Sequence, residues 1–385
     1  MISMIGLEKL PSTISAVVLE RPKVLTIKKI PMWPIESYGD PDFVLVKVAA
    51  CGVCGSDFRY YEGENPWAQA TLGRYVENPS NIVLGHEVAG EVVAVLGKAN
   101  ERLLGKRVAV FDWKSCGTCL QCRSEQSNLC SQMIHLGHGQ GWGDQPYFPG
   151  AYAQYVPAWG SSCLELPDAI QYSDAAMMDI LAVAVHVTGR GRVVPGRAVL
   201  VMGAGPAGNS IAQTAKHLGA SRVVVSDHSD IPLELARKLH IDNVIDVRDK
   251  SNSQVANEML ALEPDGFSSV YDSIGTKESF ELGLEVSSKK STFVEMAIHD
   301  SAVNLSFLKL GSERSVTTSC NFAPKDFPIA MSWLDRGRFV VKDWFTRIGL
   351  ADVPKHFAEA RNEGRSAFKL LIDFDEEQGG TANTH

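Results

Sequence analysis

Residues 199–227, VLVMGAGPAGNSIAQTAKHLGASRVVVSD, leave the chain little freedom in how it folds. A short apolar run is followed by Gly203, Gly205 and Gly208 in G-x-G-x-x-G spacing. A helical pattern comes next, with Ala207, Ile211 and Leu218 expected on its buried side, and then a second apolar run ending in Asp227. Each part has a use in binding a dinucleotide. Glycines let the backbone turn tightly and approach a pyrophosphate, whose charge sits at the helix N-terminus. An acid at the end of the second strand accepts from ribose hydroxyls and repels a 2′-phosphate, so Asp227 points to NAD(H) over its phosphorylated form. His228 beside it could offset part of that charge. The plainer alternative is a strand–helix–strand unit without a ligand.

The alternation continues downstream. Strand-like runs at 198–202, 222–226 and 243–247 are separated by helical ones at 207–218 and 231–240, and further strands are expected at 268–272, 292–297 and 315–319. Such a pattern predicts an α/β unit with a parallel sheet. The N-terminal third reads as β-rich: 44–48, 88–95 and 107–111 are strand-like, separated by Gly or polar turns. A chain of 385 residues is too long for one ordinary core, so two domains are expected. The polar tail at 375–385, DEEQGGTANTH, is expected to fray.

Residues 112–149 have little periodicity, so something other than an apolar core must hold them. Cys116, Cys119, Cys122 and Cys130 follow C-x2-C-x2-C-x7-C there. Four thiolates at this spacing close a tetrahedral Zn2+ site with no position for water, which makes it structural. Metal binding then adds folding free energy directly. Free or redox cysteines are the alternative. The opening MISMIGLEKL is too short and lacks the basic flank of a signal peptide, so a cytoplasmic location with reduced thiols is expected. A formal net charge of −8 argues against a broad nucleic-acid surface. No apolar stretch approaches the roughly 20 residues needed to span a membrane.

Two further segments complete the pattern: CGVCGSD at 51–57 and GHE at 85–87. With the four-cysteine lobe and the glycine fingerprint, in that order, the chain resembles the zinc-dependent medium-chain dehydrogenase/reductase family. It is most similar to the sorbitol, threonine and sugar dehydrogenase branch. The resemblance covers nearly the whole chain and implies an α/β architecture of two domains. One is a GroES-like β-rich catalytic domain at 1–179 and 323–385, with a structural-zinc lobe at about 112–131. The other is an NAD-binding Rossmann domain, a doubly wound parallel sheet, at 180–322. Two zinc ions per chain are implied, one structural and one catalytic.

In that family the catalytic metal ligands match Cys54 and His86, and Cys51 is read as a core residue. Polyol dehydrogenases resemble E-P-L-S-V-A-V-H where this chain has DILAVAVH, which aligns Asp179 with the glutamate. Primary-alcohol dehydrogenases usually carry a cysteine there. Aspartate is one methylene shorter, a loss of about 1.5 Å of reach. Asp179 is therefore expected to touch zinc through a water or not at all, with Glu87 entering the first shell in its place. A hinge role is the alternative for Asp179.

The resemblance implies reversible transfer of a hydride from a secondary hydroxyl of a polyol, cyclitol or sugar-like substrate to NAD+. Ser56 matches the hydroxyl that hands the alcohol proton outward. Arg59 stands where many alcohol dehydrogenases finish that relay with a histidine, and a guanidinium cannot shuttle protons near neutral pH. Tyr60 matches a pocket-lining tyrosine, with plain packing as the alternative. The insertion at 64–81 either shapes the substrate cleft or decorates the surface. A sugar C1 dehydrogenase and a general alcohol dehydrogenase are the nearest alternatives. A catalytically silent NAD(H)- and zinc-binding sensor is another class, opposed by the retained open-site ligands and Ser56. A homodimer or homotetramer is implied, with no nucleic-acid or membrane partner.

Overall fold

The computed structural model describes residues 4–7, 10–300, 302–303, 305–363 and 367–374, and the tail at 375–385 lies outside them. Tertiary contacts divide the chain into two units, Met1–Asp179 with Phe345–His385, and Ile180–Trp344. Among the described residues, no helix is long and apolar enough to cross a membrane.

In the second unit, six strands form one sheet in the order Asn243–Asp246, Arg222–Asp227, Ala198–Met202, Phe267–Asp272, Ser287–Glu295, Ser315–Thr318. All of its pairings are parallel. Parallel strands need crossover connections, and the helices supplying them cover both faces, so the strands read as nearly continuous apolar runs. Leu200, Met202, Val224, Val270 and Phe293 pack into the core on one face. Val199, Val201, Val223, Val225 and Val294 pack into the core on the other. The helix after the first of these strands, Pro206–His217, buries Gly208, Ile211, Ala212 and Ala215. Leu218, expected on that face, is 36% exposed, because the helix has ended and it serves as the C-cap.

The second unit reaches further along the chain than expected, with the return at Phe345 rather than at residue 323. Side-chain bonds hold the intervening segment. His186 Nδ1 lies 2.8 Å from Asp326 Oδ2, and Gln213 accepts from the Val340 backbone N–H at 2.7 Å.

The first unit is mainly antiparallel. Its large sheet runs Cys163–Glu165, Arg107–Val110, Glu87–Leu96, Phe43–Gly52, Lys369–Asp373, Phe345–Ile348, with Met4–Ile5 and Tyr155–Trp159 added beside this path. A smaller sheet joins Val24–Pro31, Thr13–Arg21 and Ile82–Val83. Most of the buried apolar residues of these strands share one core, in which Cys51 is fully buried. The cysteine-rich segment makes a two-stranded ribbon, Trp113–Lys114 with Ile134–His135. The four cysteines lie in the loop between its strands.

Candidate active site

Three strand ends of the first unit meet at one place. Phe43–Gly52 runs into the helix Gly55–Glu62, and Cys54 is that helix's N-cap. The Cys54 backbone N–H donates to Asp57 Oδ2 at 2.8 Å, which fixes the turn. The neighbouring strand begins at Glu87, paired opposite Gly52, so His86 stands just before the ladder. On the other side Leu371 pairs with Gly52, and Val53 N–H donates to Leu370 O at 3.0 Å. Continuing that register carries Lys369 opposite Cys54. A Cβ at Gly52 would stand 2.0 Å from Glu87 Oε2, so a larger residue there would push the Glu87 carboxylate from its place.

The structure brings Cys54, His86 and Glu87 together, with their donor atoms all within 4.8 Å of one another. Asp179 is not among these clustered donors. Its carboxyl does feel the same surroundings. Burial pushes it well above the usual carboxylate range, with Asp112 and Glu87 adding to that and His86 opposing it. Asp57 Oδ1 lies 3.5 Å from His86 Nδ1, and the Tyr152 hydroxyl donates to Asp57 Oδ2 at 2.9 Å. Burial alone would lower the His86 pKa, but Asp57 and Cys54 outweigh it and raise it well above the ordinary value. The pocket thus favours positive charge at this point. Ser56 Oγ is buried on the first turn of the helix and has no hydrogen-bond partner among the described residues.

No sequence motif points to Lys369, yet the fold places it in this cluster. Its ammonium donates to Glu87 Oε1 at 2.6 Å and lies 2.6 Å from Oε2. Both side chains are buried. Glu87 therefore answers to a buried cation as well as to the Cys54–His86 pair. Arg59 turns toward the insertion and binds Glu64 and Gln69. Tyr60 donates to Asn65 Oδ1 at 3.1 Å, and its ring stacks on His138. The insertion is more than surface decoration: Trp67 and Ala68 pack with Trp113, Cys130 and Met133, beside Cys116, Cys119 and Cys122.

Both cysteine-bearing sites suit zinc. The sulfurs of Cys116, Cys119, Cys122 and Cys130 all lie within 4.8 Å of one another, with Cys119–Cys122 at 3.4 Å and Cys116–Cys122 at 3.9 Å. A tetrahedron with ~2.3 Å Zn–S bonds has edges of about 3.8 Å. Backbone N–H groups of Thr118 and Cys119 lower the Cys116 thiol to about 6, which favours the thiolate a metal needs. The second set offers one thiolate, one imidazole and one carboxylate, a donor set that leaves a tetrahedral position open.

In the second unit, Gly203 turns with φ of +91°, and a Cβ on Gly208 would stand 1.8 Å from Gly203 O. Gly205 is the N-cap of Pro206–His217, so the loop delivers the backbone to a helix N-terminus. Asp227 closes the strand Arg222–Asp227 beside this loop. It accepts from Ala204 N–H at 2.7 Å, His228 N–H at 2.7 Å and Ser229 N–H at 2.9 Å. The acid is held against the glycine turn, and the His228 side chain points largely into solvent.

The chain is similar to known proteins over most of its length. Residues 40–168 match the family model of the alcohol dehydrogenase GroES-like domain, and residues 206–336 match that of the zinc-binding dehydrogenases. The chain belongs to the zinc-containing medium-chain alcohol dehydrogenase family. It is 32% identical to the L-threonine 3-dehydrogenase of Legionella pneumophila (strain Corby) over 263 residues, which is 68% of each chain. It is also 32% identical to the sorbitol dehydrogenase of Bacillus subtilis (strain 168) over 241 residues, 62% of this chain and 63% of that one. Among solved structures, a short chain alcohol dehydrogenase of Escherichia coli CFT073 complexed with NADH superposes with a TM-score of 0.81 at 25% identity. That match covers 94% of this chain and 100% of the other.

Proposed function

We propose that the protein catalyses the reversible oxidation of a secondary hydroxyl on a polyol, cyclitol or sugar-like substrate, with hydride transfer to NAD+. The observation that carries this reading is the convergence of Cys54, His86 and Glu87 on one point. A zinc ion held there supplies a Lewis acid that makes an alcohol hydroxyl acidic near neutral pH. Asp57 Oδ1 stands 3.5 Å from His86 Nδ1, and Nε2 is the nitrogen this reading gives to a metal. Ser56 Oγ, buried and without a hydrogen-bond partner among the described residues, would relay the substrate's hydroxyl proton, accepting it while its own proton passes outward to water. Arg59 cannot carry that proton on, since its guanidinium is engaged by Glu64 and Gln69. Gly203, Gly205 and Gly208 hold the pyrophosphate, and Asp227 accepts from the adenosine ribose and disfavours NADP. Cys116, Cys119, Cys122 and Cys130 hold the second, structural zinc. A cytoplasmic location, where thiols stay reduced, goes with this reading. Assembly as a homodimer or homotetramer is part of the proposal, and the family likeness is what supports it.

A cofactor-reduction assay on the zinc-loaded protein, across polyols, cyclitols, sugars and simple alcohols, tests the reading. Turnover with NAD+ and a polyhydroxylated substrate is expected. NAD(H) and zinc binding without turnover of any alcohol would favour a silent binding protein and overturn it.

A further inference from the structure

Beside the Cys54–His86–Glu87 cluster lies a group of buried polar side chains to which the proposed reaction gives no role. The ribbon Trp113–Lys114/Ile134–His135 pairs Trp113 with His135, and Leu136 N–H donates to Asp112 O at 2.7 Å. These bonds put the side chains of Asp112 and His135 together, with Asp112 Oδ2 2.9 Å from His135 Nδ1. The Trp142 indole N–H donates to His135 O at 2.7 Å and steadies that strand. The following turn packs Gly137 on the backbone of Gly85, so His138 arrives next to His86. The His138 ring stands between His135 and Tyr60, at centroid distances of 4.7 and 4.4 Å, and meets His86 edge-on at 4.8 Å. Trp67, from the insertion, approaches His135 from a further side, at 6.5 Å.

Asp112, His135 and His138 are only 2%, 3% and 6% exposed. Yet among the described residues Asp112 Oδ1, His135 Nε2, both ring nitrogens of His138 and the Trp67 indole nitrogen have no hydrogen-bond partner. Buried polar atoms are nearly always paired, and leaving several unpaired in one place is costly. An apolar wall would be cheaper if the neighbouring cluster handled simple alcohols. His135 opposes the effect of burial on Asp112 and keeps its pKa below the usual value, so this carboxylate accepts hydrogen bonds. A neutral imidazole offers one donor and one acceptor, as a hydroxyl does.

We propose that Asp112, His135 and His138 form a hydroxyl-binding subsite beside the Cys54–His86–Glu87 cluster, selecting substrates that carry at least one hydroxyl besides the one oxidised. The subsite rests on the dehydrogenase reading and narrows its substrate class to polyhydroxylated compounds. It also gives the four-cysteine lobe and the insertion a part in specificity, because the lobe closes the ribbon that holds Asp112 against His135.

The test pairs each polyhydroxylated compound with a carbon-matched mono-alcohol: sorbitol with 2-hexanol, xylitol with 2-pentanol, myo-inositol with cyclohexanol. kcat/KM is measured for the zinc-loaded wild type and for His138→Phe, His135→Leu and the milder His138→Gln. Binding of the same compounds in the presence of NAD+ is followed by calorimetry. A site built to bond a hydroxyl discriminates strongly against its absence. The polyol-to-mono-alcohol ratio should therefore fall at least about tenfold in His138→Phe and His135→Leu, with partial retention in His138→Gln. Equal losses on both members of a pair would show a merely structural role and overturn the subsite, as would a wild type with no preference for the polyol. If the wild type turns over nothing, the dehydrogenase reading fails. The subsite is then judged by calorimetry alone: polyol binding weakened by the variants upholds it, and no polyol or sugar binding by the wild type overturns it.

Discussion

Lys369→Met should expose how much the candidate active site depends on a buried charge pair. Lys369 and Glu87 are 5% and 0% exposed, with nitrogen–oxygen distances of 2.6 Å. At that separation the attraction is ~6 kcal/mol with an effective dielectric near 20. The desolvation of both ions offsets much of it, so the intact pair adds little net stability. Removing only the lysine is different, because the carboxylate remains buried and uncompensated. The expected loss is about 3–5 kcal/mol in the metal-free protein. Urea denaturation followed by tryptophan fluorescence reports on this unit, which holds Trp33, Trp67, Trp113, Trp142 and Trp159 of the seven tryptophans. Zinc should reduce the deficit, since a dication can take over the role of the ammonium, and the variant's zinc affinity should rise. The double variant Lys369→Met with Glu87→Gln carries no buried charge at this pair and should recover all but about 1 kcal/mol. A loss below ~1 kcal/mol in the metal-free single variant would refute the reasoning, and so would a double variant no better than the single.

Other outcomes follow from the same geometry. Mild chelation should remove about one zinc per chain and all activity while the fold persists, because the four-thiolate site is closed and the other is open; metal analysis before and after decides it. Glu87→Ala should lose zinc affinity and rate, whereas Asp179→Ala should lose mainly rate, by about 10- to 100-fold, since Asp179 lies outside the clustered donors. Metal titration that finds Asp179→Ala empty and Glu87→Ala full would reverse this order. NAD should be preferred to NADP by at least about tenfold in kcat/KM, and Asp227→Ser should shrink that ratio. Burial and the adjacent Asp272 carboxylate push Glu295 up to about 7. The folded state therefore favours the protonated acid, and this contribution is lost as pH rises from about 4.5 through 7. Glu295→Gln should match the wild type in stability below that window and exceed it above, and identical pH–stability curves would count against the shift.

Features written in neighbouring residues are legible in the sequence alone. The glycine spacing and its acid, the four-cysteine spacing, and the strands with both faces buried all depend on local periodicity or on ligands close in the chain. Cys54 and His86 are legible for a related reason, as each lies in a short motif of fixed pattern. Other features need the tertiary structure. Lys369 sits 282 positions from Glu87, and only the ladder register through Gly52 brings them together. The run KLLID by itself reads as an ordinary strand whose lysine faces water. Asp112 and His135 are likewise unremarkable polar residues until the ribbon pairs them. Trp67 reads as part of an insertion of uncertain role, yet it packs on the four-cysteine lobe. The exposure of Leu218 and the late return at Phe345 have the same origin, since one depends on where a helix stops and the other on bonds such as His186–Asp326. Periodicity states which face of an element is apolar. Which distant side chain it meets is set by strand register, where a shift of one residue turns every side chain to the other face.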